Sequence, residues 1–287
     1  MSLLTVLTHV VAVVLALHLL SLGVVRYVTG AGISRGSFRQ NARAVGPTAA
    51  ALGVLLLANG TVRDVGVQLS WLIGVNVTGT IHAVEGAFVA DLQSFATPAL
   101  TAYFSFVYVF GYVFLLTFPV VLYALHDDTR PLSATLVAYG LNYGIGLVCY
   151  VLFVAYGPRN FMPGAVESLL FANWPEVQLL TSQVNENTNV FPSLHTSLSA
   201  TVALLAARYR AAAPGWLPIA TLGAASVGVA TMYLGIHWLT DVLAGLLLAA
   251  FSVGLGARVA EAKHGDEAES PGRSHGVGGG VTEQFRR

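Results

Sequence analysis

The sequence predicts an all-α fold, a polytopic membrane bundle of about seven transmembrane helices. The chain of 287 residues is 55% hydrophobic and only 10% charged, whereas soluble domains carry about 25% charged residues. Its charged residues also cluster, which leaves long apolar runs without any charge. Runs of this length and composition are typical of helices that cross the hydrocarbon core of a bilayer.

The first 98 residues are predicted to form an N-terminal unit with two spans, at 3–25 and 45–59. No basic segment precedes the first run, and it is long for a signal peptide, so we expect it to be retained. The stretch 60–98 has mixed polarity and is predicted to be an interfacial or partly re-entrant segment.

Residues 99–260 are predicted to form the membrane bundle that carries the candidate site. Its spans are expected at 99–125, 132–156, 194–207, 216–235 and 242–259. A long loop, 157–192, precedes the third of them. The polar, Gly-rich tail 261–287 is predicted to be disordered and cytoplasmic.

The distribution of basic residues predicts the orientation in the membrane, because Lys and Arg gather in cytoplasmic loops. If the loop after the first span is cytoplasmic, only Arg63 and Arg159 of the 14 Lys and Arg residues lie outside. We therefore predict a multi-pass protein of the cell membrane, with its N-terminus outside and its C-terminus cytoplasmic. This orientation brings Arg159, His195, His237 and Asp241 to the outer membrane face.

Composition excludes several classes of function. The formal net charge is zero, so nothing indicates binding to nucleic acid. Cys149 is the single cysteine, which excludes an intrachain disulfide and a cysteine-based zinc cage. Lys263, in the tail, is the single lysine, so the membrane bundle contains neither a P-loop lysine nor a Schiff-base lysine.

His237 and Asp241 form the most informative pair. They are four residues apart, so they share one face of a helical turn. A carboxylate held against one imidazole nitrogen fixes the tautomer and leaves the other nitrogen free as a base or nucleophile. Two other interpretations fit the pair alone, a proton relay in a transporter and a packed polar pair.

The sequence around His195 predicts an anion site. Pro192 favours the first turn of a helix, so the span at 194–207 is expected to begin there. Free backbone amides and the positive end of the helix dipole bind anions, and Ser193 adds a hydroxyl donor. Alone, the pattern also fits a helix cap beside an interfacial histidine. With His237 and Arg159 on the same face, the set contains the groups that phosphoryl transfer needs.

A metal-free mechanism is favoured over two metal sites. Zinc needs about three protein ligands, and His195, His237 and Asp241 could supply them, but Asp241 is better placed to orient His237. Magnesium favours carboxylates near a phosphate, and the outer loops offer no tight cluster of them. No metal and no other cofactor is predicted.

Two motifs, PSLH at 192–195 and YLGIHWLTDVLAG at 233–245, resemble those of the type 2 phosphatidic acid phosphatase superfamily. The resemblance covers residues 132–259. It implies a helical bundle that works through a phosphohistidine, with His237 as the nucleophile and Asp241 as its orienting partner. It also implies that His195 protonates the leaving group and that Ser193 and the adjacent amides bind phosphate.

The sequence departs from the family pattern at the cations. The family's first motif, Lys followed by Arg-Pro, has no match, and Arg159 lies about where its arginine is expected, so Arg159 is a candidate phosphate-binding residue. Ala230 and Thr231 replace the Ser and Arg of the third motif, and Leu194 replaces a glycine of the second. These departures resemble the branch that contains inositol phosphorylceramide synthase, which moves a phospho-headgroup between lipids.

The predicted function is therefore that of an integral membrane lipid phosphatase or headgroup phosphotransferase at the outer face. Its partners would be a lipid phosphate or phospholipid substrate and the membrane, without nucleic acid. Hydrolysis and transfer remain alternatives. Since a dianionic monoester needs more positive charge than a monoanionic diester, the missing cations also allow a lipid phosphodiester as substrate. The alternative is a non-catalytic or transport protein that retains the same bundle.

Overall fold

The computed structural model describes residues 2–29, 35–181 and 188–269. The first elements are α1 (Leu3–Thr29), α2 (Arg35–Ile73), β1 (Val75–Asn76), α3 (Thr78–Glu85), α4 (Phe88–Gln93), α5 (Pro98–Phe106), a π-helical segment (Val107–Gly111) and α6 (Tyr112–Ala124). They are followed by α7 (Arg130–Leu152), β2 (Phe153–Val154), α8 (Pro158–Phe161), α9 (Leu169–Asn173), α10 (Val177–Thr181), α11 (Leu194–Arg208), α12 (Trp216–Tyr233) and α13 (Leu239–Glu269).

The predicted all-α polytopic bundle is confirmed. Five helical runs are long and apolar enough to cross a membrane: α1, the continuous run α5–α6 with its π segment, α7, α12 and α13. The two other predicted spans are shorter. The apolar part of α2 is Asn41–Leu57, and α11 has 15 residues, about 22 Å of helix. The total of seven spans stays a prediction.

Two predicted boundaries differ from the structure. Helix α2 does not end at Asn59 but continues to Ile73. The polar turn after Asn59 contains one glycine and no proline. One glycine destabilises a helix by about 1 kcal/mol, and the packing of α2 against α7 offsets that cost. At the other end, α13 extends to Glu269, so the predicted disordered tail begins as helix, and residues 270–287 lie outside the described residues.

Short parallel strands fasten the 60–98 segment to the bundle, a feature that helical periodicity could not predict. Strands β1 and β2 pair in the register Val75 to Phe153 and Asn76 to Val154. A further bridge joins Ala155 to Asn189. The segment predicted as interfacial therefore packs, as β1, α3 and α4, onto the end of the bundle where α7 ends and α11 begins.

Helix α11 occupies the centre of the bundle, where it packs against α7, α12 and α13. All of its side chains from 196 to 202 are buried. Three polar side chains of that core bond to one another: Asn142 donates to Thr201 at 3.0 Å and accepts from Ser197. Asn142 lies on α7, and buried hydrogen bonds of this kind fix the register of α7 against α11.

Helices α11 and α13 approach each other closely at Gly245. A Cβ at this position would lie 2.6 Å from the carbonyl oxygen of Ser193 and 3.3 Å from the amide nitrogen of Ser197. Small residues allow such close approach of membrane helices. The glycine thereby brings the first turn of α13 against the first turn of α11.

Replacement of Gly245 by Ala should therefore destabilise the bundle, because the backbone of α11 cannot yield locally. We expect a loss of about 1–3 kcal/mol, measured as a lower melting temperature of the purified protein in detergent. Gly254→Ala, in the same helix and with open space around its Cβ, is the matched control and should be neutral or stabilising. Equal melting temperatures for the two variants would contradict the close contact.

Candidate active site

The loop between α12 and α13 holds His237 in place. Gly235 ends α12 with a φ of +72°, a left-handed conformation that favours glycine. The amides of Ile236 and His237 both donate to the carbonyl oxygen of Thr231 at 3.0 Å. The backbone therefore fixes the position of the imidazole before its side chain makes any contact.

His237 and Asp241 form the predicted pair. Oδ2 of Asp241 lies 3.3 Å from Nδ1 of His237 and accepts from the amide of Trp238 at 2.9 Å. Both side chains are buried, with exposed fractions of 4% and 0%. An ionised carboxylate can only accept, so this contact favours the tautomer with the proton on Nδ1 and the lone pair on Nε2.

The imidazole of His237 is held neutral. Burial lowers the pKa of His237 to about 3, and the nearby charge of Arg159 acts in the same direction, against a backbone hydrogen bond to Val190. A neutral imidazole with a free Nε2 is a competent nucleophile near pH 7.

The first turn of α11 is bonded directly to this pair. The amide of Ser193 donates to the backbone carbonyl of Asp241 at 3.0 Å. The Ser193 hydroxyl caps the helix, since it accepts from the amide of Thr196 at 3.3 Å and donates to its hydroxyl at 3.0 Å. His195, in the same turn, is half-buried, and its ring centroid lies 6.1 Å from that of His237.

Arg159 lies against the His237 loop. Its amide donates to the carbonyl of Gly235 at 3.0 Å, and a Cβ on Gly157 would lie 2.3 Å from the carbonyl oxygen of Ile236, so the two loops are in backbone contact. The guanidinium stacks over Phe171, 4.7 Å from the ring centroid.

Within the described residues, the guanidinium of Arg159 has no anionic partner. Its Nη1 is buried and makes no hydrogen bond, and no carboxylate in the described part of the chain forms an ion pair with it. Burial lowers the pKa of Arg159, but arginine stays charged in proteins. A buried, unpaired cation is costly, and a bound anion would offset that cost.

The structure thus brings all five predicted site residues to one end of the bundle. His237, Asp241, Ser193 and His195 meet where α12 ends and where α11 and α13 begin, and Arg159 enters from the loop after α7. The positions match the sequence-based expectation, whereas the roles of the five residues stay predictions.

Sequence reasoning missed Glu85. Its Oε2 accepts from the amide of Leu239 at 2.9 Å and its Oε1 from the amide of Thr240 at 2.5 Å. These amides start α13, and Trp238, which precedes them, has no side-chain acceptor to cap them. That uncapped start was the available signal for an acceptor from elsewhere, but nothing local identifies Glu85.

The five predicted site residues neither form a metal cluster within the described ranges nor line the cavity beside them. Within the described ranges, no three His, Cys, Asp or Glu side chains are grouped so as to hold a metal ion, and the metal-free mechanism remains a prediction. A cavity of about 510 Å³ lies beside the site and is lined by Asn76, Thr78, Gly79, Tyr156, Asn160 and Phe161. None of the five predicted site residues lines it.

Fold and site together define a polytopic membrane protein with a buried site of histidine, aspartate and arginine at one end. The family model of the PAP2 superfamily matches residues 80–255, more than half of the chain. The chain therefore belongs to the PAP2 superfamily. This membership suggests phosphatase-type activity on lipid phosphates, and the match begins early enough to include Glu85.

Comparison with curated proteins and with solved structures gave no match. The predicted superfamily is thus confirmed, while the resemblance to the inositol phosphorylceramide synthase branch stays a prediction.

Replacement of Glu85 by Ala should destabilise the start of α13, because two amides lose a charged acceptor. We expect a cost of about 1–3 kcal/mol, with Glu85→Gln intermediate since the amide keeps one acceptor oxygen. Thermal unfolding of the purified protein measures the effect. Asp91 is an exposed acidic residue of α4, so Asp91→Ala is the control. A Glu85→Ala protein with the same melting temperature as this control would contradict the capping role of Glu85.

Proposed function

We propose that this protein is an integral membrane lipid phosphatase or headgroup phosphotransferase that works through a phosphohistidine on His237. One observation carries the proposal: Nδ1 of His237 is paired with the buried carboxylate of Asp241 beside a second imidazole, His195. The guanidinium of Arg159 next to them, which forms no ion pair with any described residue, supports an anionic substrate.

The proposed first step forms the covalent intermediate. Nε2 of His237 attacks phosphorus, the bond from phosphorus to the leaving oxygen breaks, and protonated His195 gives that oxygen its proton. Asp241 stabilises the imidazolium that the attack creates.

The proposed second step regenerates the enzyme. Neutral His195 takes a proton from water or from an acceptor alcohol, and the resulting oxygen nucleophile attacks phosphorus. The bond to His237 then breaks, and its Nε2 regains the lone pair. Water as acceptor gives hydrolysis and an alcohol gives headgroup transfer.

In this proposal the phosphate lies between Arg159 and the first turn of α11. The backbone amides of that turn and the positive end of its dipole favour an anion. Ser193 contributes by capping the turn, and its hydroxyl could reach the phosphate after a side-chain rotation away from Thr196.

The charge of the site favours a phosphodiester. Where the superfamily pattern has an arginine, Thr231 is fully buried and donates to the carbonyl of Gly228, so that position supplies no charge. One guanidinium, Arg159, balances a monoanionic diester better than a dianionic monoester. We therefore propose a lipid phosphodiester as the preferred substrate class, as in the inositol phosphorylceramide synthase branch.

Variants of the two histidines should separate nucleophile from acid. His195→Ala should lose about 10²–10⁴-fold in rate on an alkyl lipid ester and recover most of it on a nitrophenyl ester, whose leaving group needs no proton. His237→Ala should be inactive on both substrates, and Asp241→Asn should fall between them. Arg159→Lys should be impaired on both, because the bidentate fork is lost.

The measurement is the rate of leaving-group release in the first turnover of purified protein in mixed micelles, because later turnovers also need His195 as the base of the second step. Folding of each variant is checked by thermal unfolding. Rescue of His237→Ala instead of His195→Ala would show that the two roles are exchanged. Activity of all four variants equal to that of the unmodified protein would favour the non-catalytic or transport alternative.

We also propose that the protein lies in the cell membrane with its site and N-terminus outside. The support is the bias of basic residues towards the opposite side, with Arg63 and Arg159 as the exceptions. In a Cys149→Ala background, Ala165→Cys, which is exposed near the site, should react with an impermeant thiol reagent in intact cells. Ser274→Cys should react only after permeabilisation, and reversed accessibility would invert the proposed orientation.

A further inference from the structure

His195 is enclosed by aromatic rings. The ring of Tyr108 stacks on it with centroids 4.7 Å apart and an interplanar angle of 24°. The ring of Tyr112 lies against it at 4.5 Å with an angle of 42°. We name Tyr108 and Tyr112 together the aromatic clamp.

Tyr108 and Tyr112 are four residues apart, so they share one face of their helix, and a π-helical segment lies at this point. The segment spans Val107–Gly111, and the amide of Tyr112 donates to the carbonyl of Val107, five residues earlier. A π turn inside a helix is rare and often marks a functional site. Here the widened turn coincides with the two rings that contact His195.

Each tyrosine is itself held in place. The side chain of Tyr112 interacts with that of Tyr143 on α7. Tyr108 is buried, with 4% of its surface exposed, and is close enough to Arg159 to interact with its charge. The aromatic clamp thus rests on α7 on one side and borders the proposed phosphate position on the other.

The two histidines are oriented by different means. Nδ1 of His237 is fixed by the carboxylate of Asp241. No such acceptor holds the ring of His195 anywhere in residues 2–29, 35–181 and 188–269, where its contacts are the aromatic clamp and His237. Stacking on the two tyrosines is therefore the interaction that sets the plane of the His195 ring.

We propose that Tyr108 and Tyr112 are positioning residues that orient His195 as the general acid and stabilise its protonated form through their ring faces. This proposal rests on the function proposed above. A buried imidazolium without a carboxylate partner is costly, and the negative face of an aromatic ring attracts such a cation. The ring faces, and not the tyrosine hydroxyl groups, are expected to provide the effect.

The dependence of rate on the leaving group tests the proposal. Tyr108→Leu and Tyr112→Leu should lose roughly ten- to a hundredfold in the rate of first-turnover leaving-group release from the alkyl lipid ester, a part of the usual contribution of a general acid. Most of that loss should disappear on the nitrophenyl ester. Tyr108→Phe and Tyr112→Phe keep the ring face and should stay within about threefold of the unmodified protein on both substrates, because only the hydroxyl is removed.

The ratio of the two rates within one preparation does not depend on the folded fraction, so it remains valid if a leucine variant is unstable. Tyr103→Leu is the matched control: Tyr103 lies on α5 before the π segment, is 47% exposed and contacts Ser226 rather than the site. Its ratio should equal that of the unmodified protein.

Three outcomes would overturn the proposal. Equal losses on both esters in the leucine variants would show that the clamp is packing without a role in acid catalysis. Phenylalanine variants as impaired as leucine variants would assign the effect to the hydroxyl groups. A His195→Ala without rescue would refute the acid role itself, whereas either of the first two outcomes beside a His195→Ala that still shows rescue would refute the clamp alone.

Discussion

Asp241 is the residue on which the arrangement of the site depends. Its backbone carbonyl accepts from the amide of Ser193, and its carboxylate accepts from the amide of Trp238 and faces Nδ1 of His237. One residue therefore joins the starts of α11 and α13 and sets the tautomer of the imidazole between them. The close approach at Gly245 makes this possible, because the two backbones could not otherwise meet.

The distribution of charge at this end of the bundle determines where an anion can bind. The first amides of α13 are occupied by protein carboxylates, Glu85 on Leu239 and Thr240, and Asp241 on Trp238. That helix start is therefore closed to a phosphate. Among the described residues, no carboxylate caps the start of α11, and the guanidinium of Arg159 nearby, with its Nη1 buried, has no anionic partner. Both features favour the same place for the substrate phosphate.

Local pattern was sufficient to predict the long apolar helices and to select five candidate site residues, whose roles stay predictions, because motif spacing and the ends of spans are properties of short stretches. It was insufficient wherever a contact joins distant parts of the chain. Glu85 reaches α13 across 154 positions, and Tyr108 of one helix stacks on His195 of another. The β1–β2 pairing has strands of two residues, too short to show an alternating pattern. The continuation of α2 beyond Asn59 likewise depends on packing against α7 rather than on local propensity.

Direct detection of the covalent intermediate is the measurement that tests the central claim, that His237 is the nucleophile. His195→Ala should form the intermediate from a nitrophenyl ester but release it slowly, since it lacks the base for the second step. Base-quenched protein, digested and analysed by mass spectrometry, should carry the phosphoryl or phospho-headgroup adduct on His237, in an acid-labile form. No adduct should form in His237→Ala. An adduct on another residue, or full turnover by His237→Ala, would contradict the claim.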